Sequence, residues 1–339
     1  MKLSRSGRGA GWTLVIGMIA SAVWLVPAPA IAAPAAPPYT TSRYMQNVNT
    51  SRHYDLGCQL GTRTKNLSGT QADVVILHYF KPVKFSDGSY GAGLLGGASA
   101  KTSQIAAAVR EFAHGYYVCT GADTSSQLTV AVGTSNDGSG VTNAHGKAWA
   151  SMVQSINNWL ASNGYDKQTW AVGASDMELG WNSPGVTRAW VDGFGSVCCP
   201  KFYNYGDAAG CRYDGRPAGD ECGTGSYPSW TAKDVWYVSW GASAAWPLPQ
   251  IYRTDAVMAK QWYGLSLYTK NLTGSSMWIM GSLTQSTACA QVGCSAQTAN
   301  TPSQGWTQLW NAVNCKYFTT STCPTGQTLT YSTDMSWTD

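Results

Sequence analysis

The sequence predicts an α/β protein, a single (β/α)8 barrel of the TIM type. Strand-like runs alternate with amphipathic helical segments along most of the chain, and such alternation favours a parallel sheet. About 300 residues follow an N-terminal leader, a length that suits a closed eight-stranded barrel. A doubly wound open sheet is the alternative, although no GxGxxG or GxxxxGKS/T motif follows any predicted strand.

Residues 1–32 have the pattern of a secretory signal peptide. A basic start precedes the apolar run from Trp12 to Val26, and Ala30-Ile31-Ala32 supplies a small-x-small cleavage site. We expect a secreted, extracellular protein with no stable membrane insertion after cleavage. A retained membrane anchor is the alternative, but the apolar run is short for a bilayer span.

Charge excludes one class of partner. The chain has 22 basic and 18 acidic residues, only 12% charged in all. Three of the basic residues, Lys2, Arg5 and Arg8, lie in the leader, so the remaining chain is nearly neutral. A protein without a broad basic field does not bind nucleic acid by neutralising phosphates, so no nucleic-acid partner is expected.

The ten cysteines all follow the leader, which predicts disulfide bonds in an oxidising compartment. Closeness in sequence suggests Cys58–Cys119, Cys289–Cys294, Cys315–Cys323 and pairings within the 198–222 cluster. Paired CxxC knuckles and an HExxH motif are both absent from the sequence, so we expect no metal and no cofactor.

We expect residues 33–50 to be a flexible lead-in and residues 51–339 to form the barrel domain, as a monomer. The predicted strands share β-type runs that end at turn residues. They are Tyr54–Cys58, Ala72–Tyr79, Leu128–Val132, Thr169–Ser175, Lys201–Tyr205, Val235–Trp240, Pro249–Tyr252 and Met277–Ser282. The predicted helices share an apolar stripe at helical spacing. They are Lys101–Val118, Ala144–Leu160, Pro184–Phe194, Asp255–Tyr268 and Pro302–Val313.

Three long insertions, 80–100, 206–230 and 283–302, follow strand ends and are therefore expected on the C-terminal rim of the barrel. Two of them contain clustered cysteines, which predicts disulfide-stapled loops on that rim. Active sites of barrels are built from such loops, although extracellular loops also need cross-links for stability alone.

The strongest chemical signal is Asp176-Met177-Glu178 at the end of a predicted strand. Side chains two residues apart on a strand point to the same side, so both carboxyls should project into the barrel mouth. The chain has only three glutamates. Paired carboxyls suit glycoside hydrolysis, which predicts Glu178 as general acid and Asp176 as the stabilising carboxylate. A salt-bridged or helix-capping acid pair is the structural alternative.

Polar and aromatic residues near other predicted strand ends are candidates for substrate binding, because aromatic rings cover sugar faces and polar groups bind hydroxyls. Each of them alone also has a structural explanation. The candidates are Tyr79, Asn136, Asp137, Trp181, Asn204, Asp207, Trp240 and Tyr252. Other hydrolase chemistries lack a motif, since no GxSxG nucleophile elbow is present.

These strand ends resemble glycoside hydrolase family 25, the lysozyme-like muramidases, and related glycosidase-like barrels. The resemblance is carried by Asp176-Met177-Glu178, by Asp55 in YDLG at the predicted first strand, and by VWYVSWG near the sixth. It implies Glu178 as general acid, with Asp176 and Asp55 as partners in the same cleft.

The sequence therefore predicts a secreted glycoside hydrolase whose partner is a polysaccharide of cell walls or of the environment. The alternative is a carbohydrate-binding or cell-surface protein without catalysis on a glycosidase-like barrel.

Overall fold

A computed structural model describes residues 33–197, 200–318 and 326–338. Eleven strands lie in these ranges, eight of them in one parallel sheet and β3–β5 in a small antiparallel sheet. They are β1 (Thr40–Tyr44), β2 (Ala72–His78), β3 (Pro82–Lys84), β4 (Tyr90–Gly93), β5 (Ser99–Lys101), β6 (Gln127–Ser135), β7 (Thr169–Asp176), β8 (Phe202–Asn204), β9 (Ala245–Pro247), β10 (Gly281–Thr284) and β11 (Tyr331–Ser336).

The parallel sheet curls into a barrel in which neighbouring strands follow one another along the chain. Its order is β10-β11-β1-β2-β6-β7-β8-β9. The segment after β9 meets β10, where the Leu283 amide donates to the Pro249 carbonyl at 2.9 Å and the Ile251 amide donates to the Leu283 carbonyl at 2.8 Å. The predicted α/β barrel is therefore confirmed.

Eight α-helices of the described residues surround the sheet or cap its loops. They are α1 (Thr50–Lys65), α2 (Thr102–Cys119), α3 (Asn143–Ser162), α4 (Pro184–Gly195), α5 (Ala232–Trp236), α6 (Val257–Thr273), α7 (Ser286–Val292) and α8 (Pro302–Val313). Side-chain caps explain several starts: Ser183 accepts from the Val186 amide, and Thr301 forms a capping box with Gln304.

Two cores follow from the alternation of side chains along each strand. Val74 and Ile76 of β2 and Val172 and Ala174 of β7 point into the barrel interior. The intervening positions belong to the larger core between sheet and helices. This period of two also decides which strand-end residues face the barrel mouth.

The N-terminal boundary of the barrel was predicted wrongly. Residues 33–50 are not only a lead-in, because Thr40–Tyr44 is a barrel strand paired with both β11 and β2. The predicted strand Tyr54–Cys58 lies in α1. Its buried face contains Gly57 and Gly61, which pack against α2 so closely that a Cβ on Gly57 would lie 1.9 Å from the Phe112 carbonyl oxygen. Because glycine has no side chain, Gly57 and Gly61 do not add to an apolar stripe, and the helical period of α1 is not visible in the sequence.

Three later strand predictions also need correction. Val235–Trp240 falls in α5 and in the π-helical turn Tyr237–Gly241, where Thr231 and Asp234 form a capping box at the start of α5. Pro249–Tyr252 contributes one bridge, Gln250 to Leu283, and no regular strand. Met277–Ser282 overlaps only the start of β10. The strands β9 and β11 were not predicted.

Disulfides staple two rim loops, as predicted. Cys211–Cys222 closes the loop after β8, and Cys289–Cys294 closes the loop after β10. Cys58–Cys119 joins α1 to α2. These bonds are typical of an oxidising compartment such as the extracellular space. Residues 1–32, Cys198, Cys199 and Cys323 lie outside the described residues, and the predictions on them stay predictions.

The small sheet β3–β5 forms the insertion after β2.

None of the helices in residues 33–197, 200–318 and 326–338 is both long and apolar enough to cross a membrane.

Candidate functional site

The C-terminal ends of the barrel strands gather a set of polar side chains in phase with the barrel interior. On β7, Asp176 follows Val172 and Ala174 at spacings of two, and on β2 His78 follows Ile76. After β8, Asp207 follows Tyr205 in the same way. Strand periodicity therefore directs these three groups toward one barrel mouth.

Asp176 is buried and uncompensated. It is 7% exposed, and its Oδ1 has no hydrogen-bond partner within the described part of the chain. Burial raises the pKa of this carboxyl well above its ordinary value, and the nearby charges of Glu178 and Asp207 raise it further. This environment therefore opposes ionisation of Asp176.

Glu178 lies just beyond the end of β7 and is held by its main chain. The Asn136 side chain accepts from the Glu178 amide at 3.1 Å and donates to the Glu178 carbonyl at 3.0 Å. Gln250 Nε2 donates to Glu178 Oε1 at 2.8 Å. Burial raises the pKa of Glu178, and the hydrogen bond from Gln250 opposes that rise.

Asp207 completes a group of three coupled carboxyls. It is buried, and its Oδ1 has no hydrogen-bond partner among the described residues. Burial, and then the charge of Glu178, raises the pKa of Asp207 to about 7. The salt bridges found among the described residues all involve other carboxyls.

A cavity of about 440 Å³ opens at this end of the barrel, and of the three carboxyls Asp176 lies in its wall. The loop leading to β3, together with β3, β4 and the β4–β5 turn, forms one side of it. Aromatic and charged side chains both line the cavity, a composition that suits a ligand with both apolar faces and polar edges. They include Tyr44, Phe80, Lys81, Asp137, Trp181 and Trp337.

Four of the residues predicted at the site lie elsewhere. Asp55 is exposed on α1 and lines a shallow depression on the outer surface. Tyr79 faces the helix layer, where its hydroxyl contacts His53 Nε2 at 3.1 Å. Asn204 is fully buried and donates to Ser239 Oγ at 2.8 Å. Trp240 packs edge-on against Trp246, which lines a cavity at the opposite end of the barrel.

The remaining predicted residues lie at the carboxyl end of the barrel. Asp137 and Trp181 line the cavity, and Trp181 is 38% exposed. Asn136 acts on Glu178 through the main chain. Burial raises the pKa of the Tyr252 hydroxyl well above its ordinary value, and the nearby Tyr44, Asp176 and Glu178 raise it further.

Several residues of the site were missed by sequence reasoning. Each of them is in phase with the barrel interior: Tyr44 ends β1, His78 ends β2, Gln250 follows β9 by the same spacing, and Trp337 follows β11. That phase was the available signal. For β1, β9 and β11 it could not be applied, because those strands are not predicted from the sequence.

Within the described residues, no group of three or more His, Cys, Asp or Glu side chains is arranged to hold a metal ion. Comparison with protein-family models, with curated proteins and with solved structures returns no match to this chain. Function must therefore be inferred from the chemistry of the site.

Proposed function

We propose that this protein is a glycoside hydrolase that uses carboxyl general acid catalysis at the C-terminal mouth of the barrel. The observation that carries the proposal is the group Asp176, Glu178 and Asp207: two buried carboxyls and one partly exposed carboxyl, with Asp176 in the wall of an aromatic cavity and no salt-bridge partner in the part of the chain that the structure describes. Such carboxyls share protons, and glycoside hydrolysis needs one acid and one carboxylate together.

Glu178 is the residue placed to donate the proton. It is partly exposed, whereas Asp176 is almost fully buried in the cavity wall. In the free protein the pair titrates as a unit. When positive charge develops on the sugar ring, ionised Asp176 is favoured, because an opposite charge lowers the pKa of a carboxyl. The proton that the pair shares then lies on Glu178, which passes it to the leaving oxygen.

The substrate that we propose is a polysaccharide of a cell wall or of the environment, met outside the cell. The disulfides and the signal-like residues 1–32 support an exported protein. The resemblance of Asp176-Met177-Glu178 to the muramidase family supports a cell-wall glycan among the candidates.

The decisive experiment is Glu178→Gln, assayed for release of reducing ends from peptidoglycan, chitin, cellulose, xylan and starch. We expect the variant to lose roughly a thousandfold in turnover on the substrate that the wild type cleaves, because the Gln amide has no acidic proton to transfer to the leaving oxygen. Glu111→Gln is the matched control, since Glu111 is partly exposed on α2 and pairs with His114. It should keep wild-type activity.

The carbohydrate-binding alternative has a different outcome. A protein that binds one of these glycans with no release of reducing ends, in the wild type and in Glu178→Gln alike, would overturn the enzymatic proposal. Retention of hydrolysis by a folded Glu178→Gln variant would overturn the role of Glu178.

A further inference from the structure

The hydroxyl of Tyr205 determines how a neighbouring histidine is protonated. Tyr205 Oη lies 3.0 Å from the Thr134 carbonyl oxygen and 2.5 Å from His78 Nδ1. The Thr134 carbonyl can only accept, and when the single hydroxyl hydrogen of Tyr205 goes to it, His78 Nδ1 is the donor to Tyr205. Gly133 leaves room for this arrangement, because a Cβ there would lie 2.4 Å from Tyr205 Oη.

His78 is therefore a neutral imidazole with its one hydrogen on Nδ1. The side chain is 2% exposed, and burial lowers its pKa to about 3, so it carries no second proton near neutral pH. Its Nε2 then has a free lone pair. No hydrogen bond to this Nε2 is formed within residues 33–197, 200–318 and 326–338.

The ring is held rigidly at the wall of the carboxyl-side cavity. His78 lines that cavity together with Asp176. Tyr44 and Phe80 both pack edge-on against the imidazole of His78. The distance between ring centroids is 5.0 Å for Tyr44 and 4.7 Å for Phe80. Tyr44 also contacts Trp337 at 4.9 Å, so the acceptor is surrounded by aromatic rings.

We propose that His78 Nε2 is the hydrogen-bond acceptor of a sugar-binding subsite, receiving a free hydroxyl of a sugar residue that lies among Tyr44, Phe80 and Trp337. This subsite deepens the proposed function and rests on it for the choice of sugar as the ligand class. A buried acceptor rejects a ligand that cannot donate, because its lone pair would then stay desolvated and unpaired. The subsite should therefore exclude sugars whose matching hydroxyl is methylated or acetylated.

A role as general base does not fit His78. A catalytic base works best with a pKa near the working pH. His78 gains a second proton only near pH 3, so it orients the sugar and takes no proton from it.

The first test is the tautomer itself, measured on the intact wild-type protein labelled with ¹⁵N in its histidine rings. Long-range ¹H–¹⁵N correlation should show a protonated Nδ1 and an unprotonated Nε2 for His78, unchanged between pH 5 and pH 8. Titration with cellobiose, chitobiose, maltose and xylobiose should shift the Nε2 resonance for at least one sugar. A protonated Nε2 would overturn the proposal. So would the absence of any Nε2 shift across the panel.

The second test compares two histidines that each contact a tyrosine hydroxyl. His78→Phe should weaken binding of the responding disaccharide roughly tenfold by calorimetry, the equivalent of one lost hydrogen bond. His53→Phe is the matched control, because His53 contacts Tyr79 in the helix layer outside the barrel. It should leave the affinity of the folded protein unchanged. Equal losses in both variants would contradict the subsite.

Failure of this proposal can be told apart from failure of the proposed function. If the wild type hydrolyses a glycan and His78→Phe has an unchanged KM, the subsite is wrong and the hydrolase stands. If a disaccharide shifts Nε2 but no glycan is cleaved, the subsite stands and the hydrolase is wrong.

Discussion

The two ends of the barrel carry cavities of similar size and similar aromatic content. The carboxyl-side cavity has about 440 Å³. The cavity at the amino ends of the strands has about 390 Å³, with Trp170, Tyr203, Trp246 and Tyr331 in its wall. By composition alone, either could hold a sugar.

The two cavities differ in their polar groups. The carboxyl-side cavity contains Asp176 and lies beside coupled, unpaired carboxyls. The amino-side cavity has one cation, Lys201, which donates to the Ser243 carbonyl at 2.7 Å and lies over the Trp246 ring. Aromatic content therefore does not distinguish the candidate site from the opposite end of the barrel. The carboxyls without a salt-bridge partner do, and they lie where the loops of a parallel barrel meet.

The largest expected effect on stability comes from Asp207→Asn at the carboxyl end. Burial raises the pKa of Asp207 from its ordinary value near 3.8 to about 7. The folded state therefore loses stability as pH rises from about 4 to about 7, because the unfolded chain ionises this group first. We expect the variant to match the wild type at pH 4 and to exceed it by up to about 4 kcal/mol in unfolding free energy at pH 8.

Urea denaturation at the two pH values measures this difference. Asp334→Asn is the control, because the buried Asp334 carboxyl accepts from the Ser286 and Thr287 amides and from hydroxyls of Thr284 and Thr287. That substitution should destabilise the fold at pH 8. If Asp207→Asn is also destabilising at pH 8, the carboxyl end does not store unfavourable charge, and the contrast between the two ends fails.

The sequence predicted the barrel but not all of its strands. Long apolar runs such as Ala72–His78 and the amphipathic helix α3 are local patterns, so they were recognised. The strand β1 has a mixed pattern and is stabilised by partners about 290 residues away along the chain. No local window contains that information. The segment Val235–Trp240 looks like a strand by propensity, yet its capping box starts a helix there.

Whether a predicted site residue lies at the barrel mouth depends on which side of its strand the side chain points to. Asp176 was predicted from a clear strand, and its phase is correct. Tyr79 and Asn204 were chosen at strand ends without regard to phase, whereas the adjacent His78 and Tyr205 point inward. The positions of Gln250 beside Glu178 and of Trp337 in the cavity wall depend on how the barrel closes, which a single sequence does not reveal.

A smaller effect should distinguish the two aromatic cavities in sugar binding. Trp337→Leu removes a ring of the carboxyl-side wall, and Trp170→Leu removes one from the amino-side wall. We expect Trp337→Leu to weaken disaccharide binding about fivefold, because a stacked ring contributes on the order of 1 kcal/mol. Trp170→Leu should bind as the wild type does. Calorimetry measures the disaccharide affinity of both variants. A greater loss of affinity in Trp170→Leu would place the sugar in the amino-side cavity and contradict the subsite.

The smallest effect is expected from the lysines that line the two cavities. Lys201→Met loses the hydrogen bond to Ser243 and the contact with Trp246, both at the surface, so unfolding free energy should fall by about 0.5 kcal/mol with turnover unchanged. Lys81→Met makes the same change in the carboxyl-side wall. It should raise KM about threefold, because an ammonium there can donate to sugar hydroxyls. Steady-state kinetics on the cleaved glycan decide the matter: a KM change in Lys201→Met as large as that in Lys81→Met would mean that the amino-side cavity also takes part in substrate binding.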